Sequence, residues 1–411
     1  MPRPEPGTGV EDVSQNPPVR LPYLDWLRVL VVLMLVPFHT AMTFAPYQWS
    51  LRNDELNLAA QALVNVLDQY HMEVLFIIAG AATFFSLSIR AGKAYSIERL
   101  KRLVVPLIFG MLVVIPPVYF IRALQFEGFQ GSYFQWYPTF LRESLTPFHS
   151  NFLPGAIWFL WYLVIYTAVL LPIFLLIQRK YRQTLIPLLA YFFEKRGALF
   201  LLVIPVALVE IFSTWVLYRD FLVFYYAIFF FCGFFLFSEP RFQRGIDKSG
   251  PTALVGAVVT MSLFMLLIFP VWYKSILGPA FWMTLGGEPG SWGFILFRIL
   301  TSFTTWFWII GLLYLSRRFL NFSNRFLQYA NGAVLPFYII HETPVILVGF
   351  YAIQWDMDVL PKYAINTVLV FIATIAIYEF IKRTNVTRFL FGMRLKKKPA
   401  SEAETIPNHT S

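Results

Sequence analysis

Cysteine is all but missing from this chain, and charge is scarce. The single cysteine, Cys232, sits in the run FYYAIFFFCGFFLF, which excludes a disulfide framework and a cysteine-based metal site. Charged residues make up only 14% of the 411 positions, where a soluble domain carries about a quarter. No phosphate-binding glycine loop, dinucleotide fingerprint or zinc motif occurs, so the common nucleotide- and metal-dependent chemistries leave no signature. The formal charge of +10 invites a nucleic-acid partner. The placement of the basic residues gives a better account, and no nucleic acid is expected.

What the chain has in excess is apolar length. Hydrophobic residues make up 58%, mean hydropathy is +0.61, and the apolar positions run together in blocks such as VLFIIAGAATFFSLSI and LVVPLIFGMLVVIPPVYFI. Such blocks are too continuous for surface helices, and about 20 residues of this kind cross the ~30 Å hydrocarbon core. The pattern predicts an all-α, polytopic membrane protein of about ten transmembrane helices. They fall at 28–46, 69–89, 103–121, 156–177, 198–217, 221–238, 253–273, 293–315, 332–351 and 364–381. Residues 1–22 and 396–411 read as polar tails, the first of them disordered.

Lysine and arginine placement sets the orientation. With the N-terminus in the cytosol, most basic residues fall on the inner side. They include Arg28, Arg99, Lys101, Arg102, Arg179, Arg182, Arg244, Arg317, Arg318 and the Lys382–Lys398 segment. Only Arg52, Arg122, Arg142, Arg219, Lys274, Arg298 and Lys362 fall outside. One span more or fewer would scramble this separation, so both termini are expected in the cytosol. The same pattern requires the first span to stay in place rather than be cleaved as a signal peptide. The outer segment 122–155 is rich in aromatic residues, which suits an interfacial belt as well as sugar stacking.

Ionisable groups inside spans are the candidates for chemistry. In the first span, Arg28 and His39 are eleven residues apart, which puts them on one helix face about 16 Å apart along the axis. Asp25 can pair with Arg28 at i,i+3. Arg28 also fits a plain cytosolic anchor, and His39 a buried hydrogen-bonding histidine near the midplane. In the ninth span, FYIIHETPVIL places His341 and Glu342 about 14 Å from the cytosolic face, close to the depth of His39. A structural polar clamp between helices is the simpler alternative there. His71 and Glu73 open the second span, where they line an outer vestibule or are merely solvated. Glu210 and Arg298 are a candidate outer pair, and Glu379 with Lys382 and Arg383 an inner one. ERLKRLVVPLIFG sets Arg99 and Arg102 at the cytosolic mouth of the third span. Clustered arginine there can bind phosphate or simply anchor the helix.

These residues resemble the acyltransferase 3 family of multi-pass membrane acyltransferases, in particular a branch associated with succinylating periplasmic glucans. The family pattern in the first helix is a basic residue, ten intervening residues and a histidine, here Arg28 and His39 in LDWLRVLVVLMLVPFH. Similar stretches follow in order: HMEVLFIIAG, ERLKRLVVPLIFG, AIWFLWYLVIY, LNFSNRFLQYANGAVLPFYIIHETPVI and YEFIKRTNVTRFLFG. The resemblance covers residues 23–395, read as one transmembrane acyltransferase domain. Relatives commonly carry proline or another uncharged residue where Glu73 stands, and a His-Gln or His-His pair where this chain has His341-Glu342. No secreted esterase-like domain is expected after the membrane unit.

The resemblance implies a bacterial inner-membrane enzyme moving an acyl group, succinyl or acetyl, from cytosolic acyl-CoA to a hydroxyl of an extracytoplasmic glycan. Acyl-CoA is then a substrate, and neither a separate cofactor nor a metal is implied. His39 would deprotonate the acceptor or carry the acyl group, with Glu342 or His341 orienting it. Arg28, Arg99 and Arg102 would hold donor phosphates, Asp25 would brace Arg28, and His71 and Glu73 would bind substrate. The rival reading is a proton-coupled transporter using the same buried histidine and glutamate groups, against which the lack of an evident inverted repeat weighs.

Overall fold

The computed structural model describes residues 21–46, 49–89, 92–144, 155–216, 222–272 and 290–396. Both tails, apart from their innermost residues, and Arg219 and Lys274 lie outside the described residues. Among those described, the secondary structure is helical with no strands. The helices are α1 (Pro22–Phe44), α2 (Leu58–Asp68), α3 (His71–Ile89), α4 (Gly92–Phe109), α5 (Pro116–Phe126) and α6 (Tyr133–Ser144). Next come α7 (Trp158–Leu176), α8 (Leu185–Phe193), α9 (Val203–Val216), α10 (Leu222–Leu236) and α11 (Pro240–Trp272). Last are α12 (Trp292–Phe319), α13 (Arg325–Ile340), α14 (Glu342–Ala352), α15 (Val359–Ile381) and α16 (Asn385–Leu390).

Each of the ten predicted stretches contains helix, but not all to the same length. Seven helical stretches are long and apolar enough to cross a membrane: Pro22–Phe44, Leu58–Ile89, Gly92–Phe126, Gly155–Tyr181, Pro240–Ile268, Trp292–Phe319 and Val359–Ile381. An eighth, α13 with α14, is bent by 58°. The fifth and sixth predictions correspond to the shorter apolar stretches Ala198–Phe212 and Leu222–Leu236. Large apolar side chains stand outward along these helices, among them Val258, Leu266, Val368 and Ile372, which are 57–69% exposed. Contiguous apolar exposure of this kind suits lipid rather than water.

α1 occupies the middle of the bundle, packed against α2, α3, α12, α13, α14 and α15. It starts at Pro22, six residues earlier than hydropathy predicts. Proline fits the first turn because its missing N–H has no intrahelical partner there anyway, and Asp25 adds negative charge where the helix dipole favours it. The polar first turn lowers hydropathy without weakening the helix. The longer α1 places His39 about 26 Å from its start and ~8 Å from its end, so His39 lies nearer the C-terminal end of α1 than the midway position expected.

The α13–α14 break has a local cause. Pro344 has no N–H to offer the carbonyl of Ile340, and its ring would collide with that carbonyl. The chain therefore turns at His341, between the two helices. The π-helical turn 110–114 leads in a similar way into Pro116 and Pro117, which open α5. α3 and α10 pack through two glycines. A Cβ on Gly80 would lie 2.0 Å from the Phe230 carbonyl oxygen, and one on Gly233 would lie 2.1 Å from that of Ile77. Only glycine permits backbones this close.

Two ion pairs expected from the sequence form. Glu210 receives Arg298, Thr301 and Ser302 at 3.1, 3.0 and 2.6 Å. Glu379 pairs with Lys382 at i,i+3 and accepts from the Tyr329 hydroxyl.

Candidate active site

Two histidines from different helices meet at the centre of the bundle. His341 Nε2 lies 3.3 Å from His39 Nδ1, with ring centroids 4.9 Å apart. His39 Nδ1 is also 3.0 Å from the Leu35 carbonyl oxygen one turn below. His341 Nδ1 is 2.6 Å from the Tyr338 carbonyl oxygen. A carbonyl oxygen only accepts, so in the neutral pair both Nδ1 atoms carry the hydrogen. His341 Nε2 then holds a lone pair toward His39 Nδ1–H. The remaining lone pair of the dyad sits on His39 Nε2. The helix break contributes directly, because His341 sits at the joint rather than within a continuous ladder.

Trp49, from the segment after α1, lies 5.3 Å from the His39 ring at 30°, and Phe38 lies edge-on to it at 4.9 Å. Glu342 is 5% exposed, and its Oε2 has no hydrogen-bond partner among the described residues. It is not among the groups touching His39. Adjacent helical residues point about 100° apart, so only one of His341 and Glu342 can face α1. His341 does.

Below the dyad lies a cavity of about 290 Å³. Its lining is graded in chemistry. Arg28, Arg99, Arg102, Glu98, Tyr95 and Ser86 form one end, while Val32, Leu75, Ile78, Phe159, Leu163, Leu335 and Tyr338 line the other. Tyr338 joins the two parts of the site, since it lines the cavity while its carbonyl holds His341. Its hydroxyl donates to the Ala156 carbonyl at 2.5 Å. Arg28 reaches Asp25 at 3.0 Å and also bonds Asn331, while its Nε has no partner among the described residues. Arg99 bonds Thr167 at 3.2 Å and Arg102 the Gly392 carbonyl at 3.2 Å.

The structure thus brings His39 to His341, and Arg28 to Asp25, Arg99 and Arg102, in two linked groups. His71 packs on Phe38, 4.6 Å from its ring, with Nδ1 2.8 Å from the Leu67 carbonyl oxygen. Glu73 is buried and accepts from the Tyr225 hydroxyl at 3.2 Å. Neither lines the cavity. Sequence reasoning missed Asn331, Tyr338 and Trp49. Tyr338 was findable, since it lies one turn before His341 on the same face. Trp49 was not, because its place depends on how a connecting segment folds back. Among the described residues, no group of three or more metal-ligating side chains is placed to hold an ion.

Membrane-length helices thus surround a histidine dyad with an arginine-mouthed cavity beneath it. Residues 21–379 match the acyltransferase 3 family, described as an acyltransferase domain, and the chain belongs to that family. It is a multi-pass membrane acyltransferase. Among its relatives are the glucans biosynthesis protein C of Salmonella dublin and that of Salmonella enteritidis. Each is 20% identical over 410 residues, covering 95% of this chain and 99% of the relative. The Salmonella heidelberg protein of the same name is 21% identical with the same coverage. No solved structure matches the chain.

Proposed function

We propose that this protein moves an acyl group from cytosolic acyl-CoA to a hydroxyl of an extracytoplasmic glycan, with His39 as the base. The observation that carries the reading is the His39–His341 dyad standing over a cavity whose other end holds three arginines. A CoA thioester is polyanionic at one end and neutral at the other, which matches that gradient. Arginine binds phosphate with charge-assisted hydrogen bonds. Arg28 and Arg102 still have donors to spare, Arg28 through its unpartnered Nε. The relatives' name supports a glycan acceptor.

In the proposed step, His39 Nε2 takes the proton of the acceptor hydroxyl as its oxygen attacks the thioester carbonyl. The carbon–sulfur bond then breaks, and the CoA thiolate leaves with the proton from His39. His341 holds the imidazolium by accepting from its Nδ1–H, and the Leu35 carbonyl does the same. The deep lining of the cavity carries no cation, and a carboxylate would lose its water there without replacement. That favours acetyl over succinyl as the transferred group. His39 as a transient acyl carrier is the alternative course through the same atoms.

The proposed topology has ten spans and both termini in the cytosol. It counts the short stretches at Ala198–Phe212 and Leu222–Leu236 and the bent α13–α14 pair as crossings, and rests on the basic-residue asymmetry. In a Cys232→Ala background, Glu55→Cys should react with a membrane-impermeant maleimide added outside intact cells, and Lys93→Cys should not. Labelling at Lys93 from outside would reverse the orientation.

Arg99→Ala and Arg102→Ala should each raise the apparent KM for acetyl-CoA by about tenfold, the loss of one charge-assisted contact. Turnover at saturating donor should change little. An unchanged KM in both would leave these arginines as topological anchors. The function itself is tested by adding labelled acetyl-CoA and glucan oligosaccharides to the purified protein. Label that stays on CoA, together with solute uptake in proteoliposomes, would move the assignment to a transporter.

A further inference from the structure

Glu73 and Glu210 lie in the same part of the bundle, and their surroundings differ. Glu210 has both oxygens engaged, by Arg298, Thr301 and Ser302. Glu73, only 4% exposed, has Oε1 held by the Tyr225 hydroxyl, while its Oε2 has no hydrogen-bond partner among the described residues. Two further buried atoms are unmatched: Gln69 Oε1 and Trp308 Nε1. They belong together. The Val74 amide bonds the Tyr70 carbonyl at 3.0 Å, so helical geometry extends back to Tyr70. Gln69 and Tyr70 then share a face with Glu73 at i,i+4 and i,i+3. Tyr70 in turn lies over Trp308 of α12, with centroids 5.2 Å apart and planes at 31°.

We propose that Glu73, Gln69, Tyr225 and Trp308 form a subsite that binds the polyhydroxylated acceptor, an inference that rests on the glycan-acylation reading above. Two unmatched acceptors beside one unmatched donor complement hydroxyl groups, each of which donates and accepts. An anionic ligand would meet the Glu73 carboxylate, and a purely apolar one would leave all three atoms unpaired. Inside a membrane, where lipid supplies no partners, unmatched polar atoms on facing helices mark a place that something polar fills. The helix that carries Glu73 also reaches the dyad's surroundings. His71, two residues before Glu73, packs on Phe38, and Phe38 packs on His39. Glu73 is one of the two places at which the sequence departs from the family pattern, which suits a residue that sets acceptor choice.

The test uses the full-length protein in nanodiscs, radiolabelled acetyl-CoA as donor and a mixture of glucan oligosaccharides as acceptor. Glu73→Gln and Trp308→Phe should each raise the acceptor KM by about tenfold, equivalent to ~1.4 kcal/mol. Affinity for acetyl-CoA should stay at the wild-type value, which a general loosening of the fold would not allow. Trp308→Phe removes the N–H donor together with the five-membered ring while keeping an aromatic ring, and read against the unchanged acetyl-CoA affinity it decides the matter if Glu73→Gln does not fold. Wild-type acceptor KM in the folded variants would overturn the subsite and leave these atoms to bound water. A wild-type protein that acylates no glucan oligosaccharide would remove the glycan reading itself, and the subsite with it.

Discussion

His39→Gln is expected to lower turnover by about 10²–10⁴-fold, the range for loss of a general base, at near wild-type yield and thermal stability. The two effects separate because glutamine can replace hydrogen bonds but not basicity. Its amide nitrogen can donate to Leu35 or His341 as His39 Nδ1–H does, so the packing around α1 has a substitute. Its carbonyl does not take up a proton near neutral pH, so the acceptor hydroxyl would have to attack without help. His341→Gln should cost less, since His341 acts through His39. It would lose the imidazole lone pair that supports the His39 imidazolium but leave His39 Nε2 in place. Transfer rates and melting curves on the same purified samples decide the point. A stable His39→Gln protein with near-normal transfer would take His39 out of the chemistry and shift the base role to His341.

The largest effect on stability is expected at Gly233. In an ordinary helix, glycine to alanine stabilises by about 1 kcal/mol through helix propensity. At this position the new methyl group would lie 2.1 Å from the Ile77 carbonyl oxygen, with Ile77 Cα at 2.7 Å. Both are backbone atoms and cannot rotate away, so α3 and α10 must separate. Overpacking of this kind costs typically 1–3 kcal/mol, and the reciprocal contact at Gly80 would be strained as well. Gly233→Ala should therefore lose on the order of 2 kcal/mol overall. Gly332→Ala is the control, because its methyl would meet only the Tyr378 hydroxyl at 3.6 Å, and it should be neutral or slightly stabilising. Cys232, buried at 7% exposure, is a built-in reporter whose labelling by a thiol dye follows unfolding. Equal melting temperatures for the two variants would mean that the α3–α10 contact yields more readily than described.

Most of the helical layout could be read from apolar length, because a membrane leaves few other ways to satisfy a backbone. The errors have identifiable causes. Hydropathy placed the start of α1 at residue 28 because Asp25 and Arg28 look polar, although Pro22 and Asp25 are themselves a helix-start signal. The second stretch reached back to Leu58 for a similar reason. Its N-cap, Asn57, accepts from the Ala59 and Ala60 amides, a signal that a hydropathy window averages away. Within the site, equal depth was enough to bring His39 and His341 together. It could not choose between His341 and Glu342, which depth treats alike and helix rotation separates. The Arg28, Arg99 and Arg102 group was accessible from charge clustering. The Glu73 surroundings were not, since they depend on which side chains of α10 and α12 face α3.

A passage that brings a donor from one side of a membrane toward an acceptor on the other has a second obligation, which is electrical. An ion crossing a membrane at 100 mV releases about 2.3 kcal/mol per charge, so even a narrow wet path would drain the cell's stored gradient. The row of Val32, Leu75, Ile78, Phe159, Leu163 and Leu335 between the arginine mouth and the dyad has no group to replace the hydration shell of an ion. Under the proposed function it serves as an insulating septum through which a neutral acyl arm is threaded while sodium, potassium and chloride are turned back.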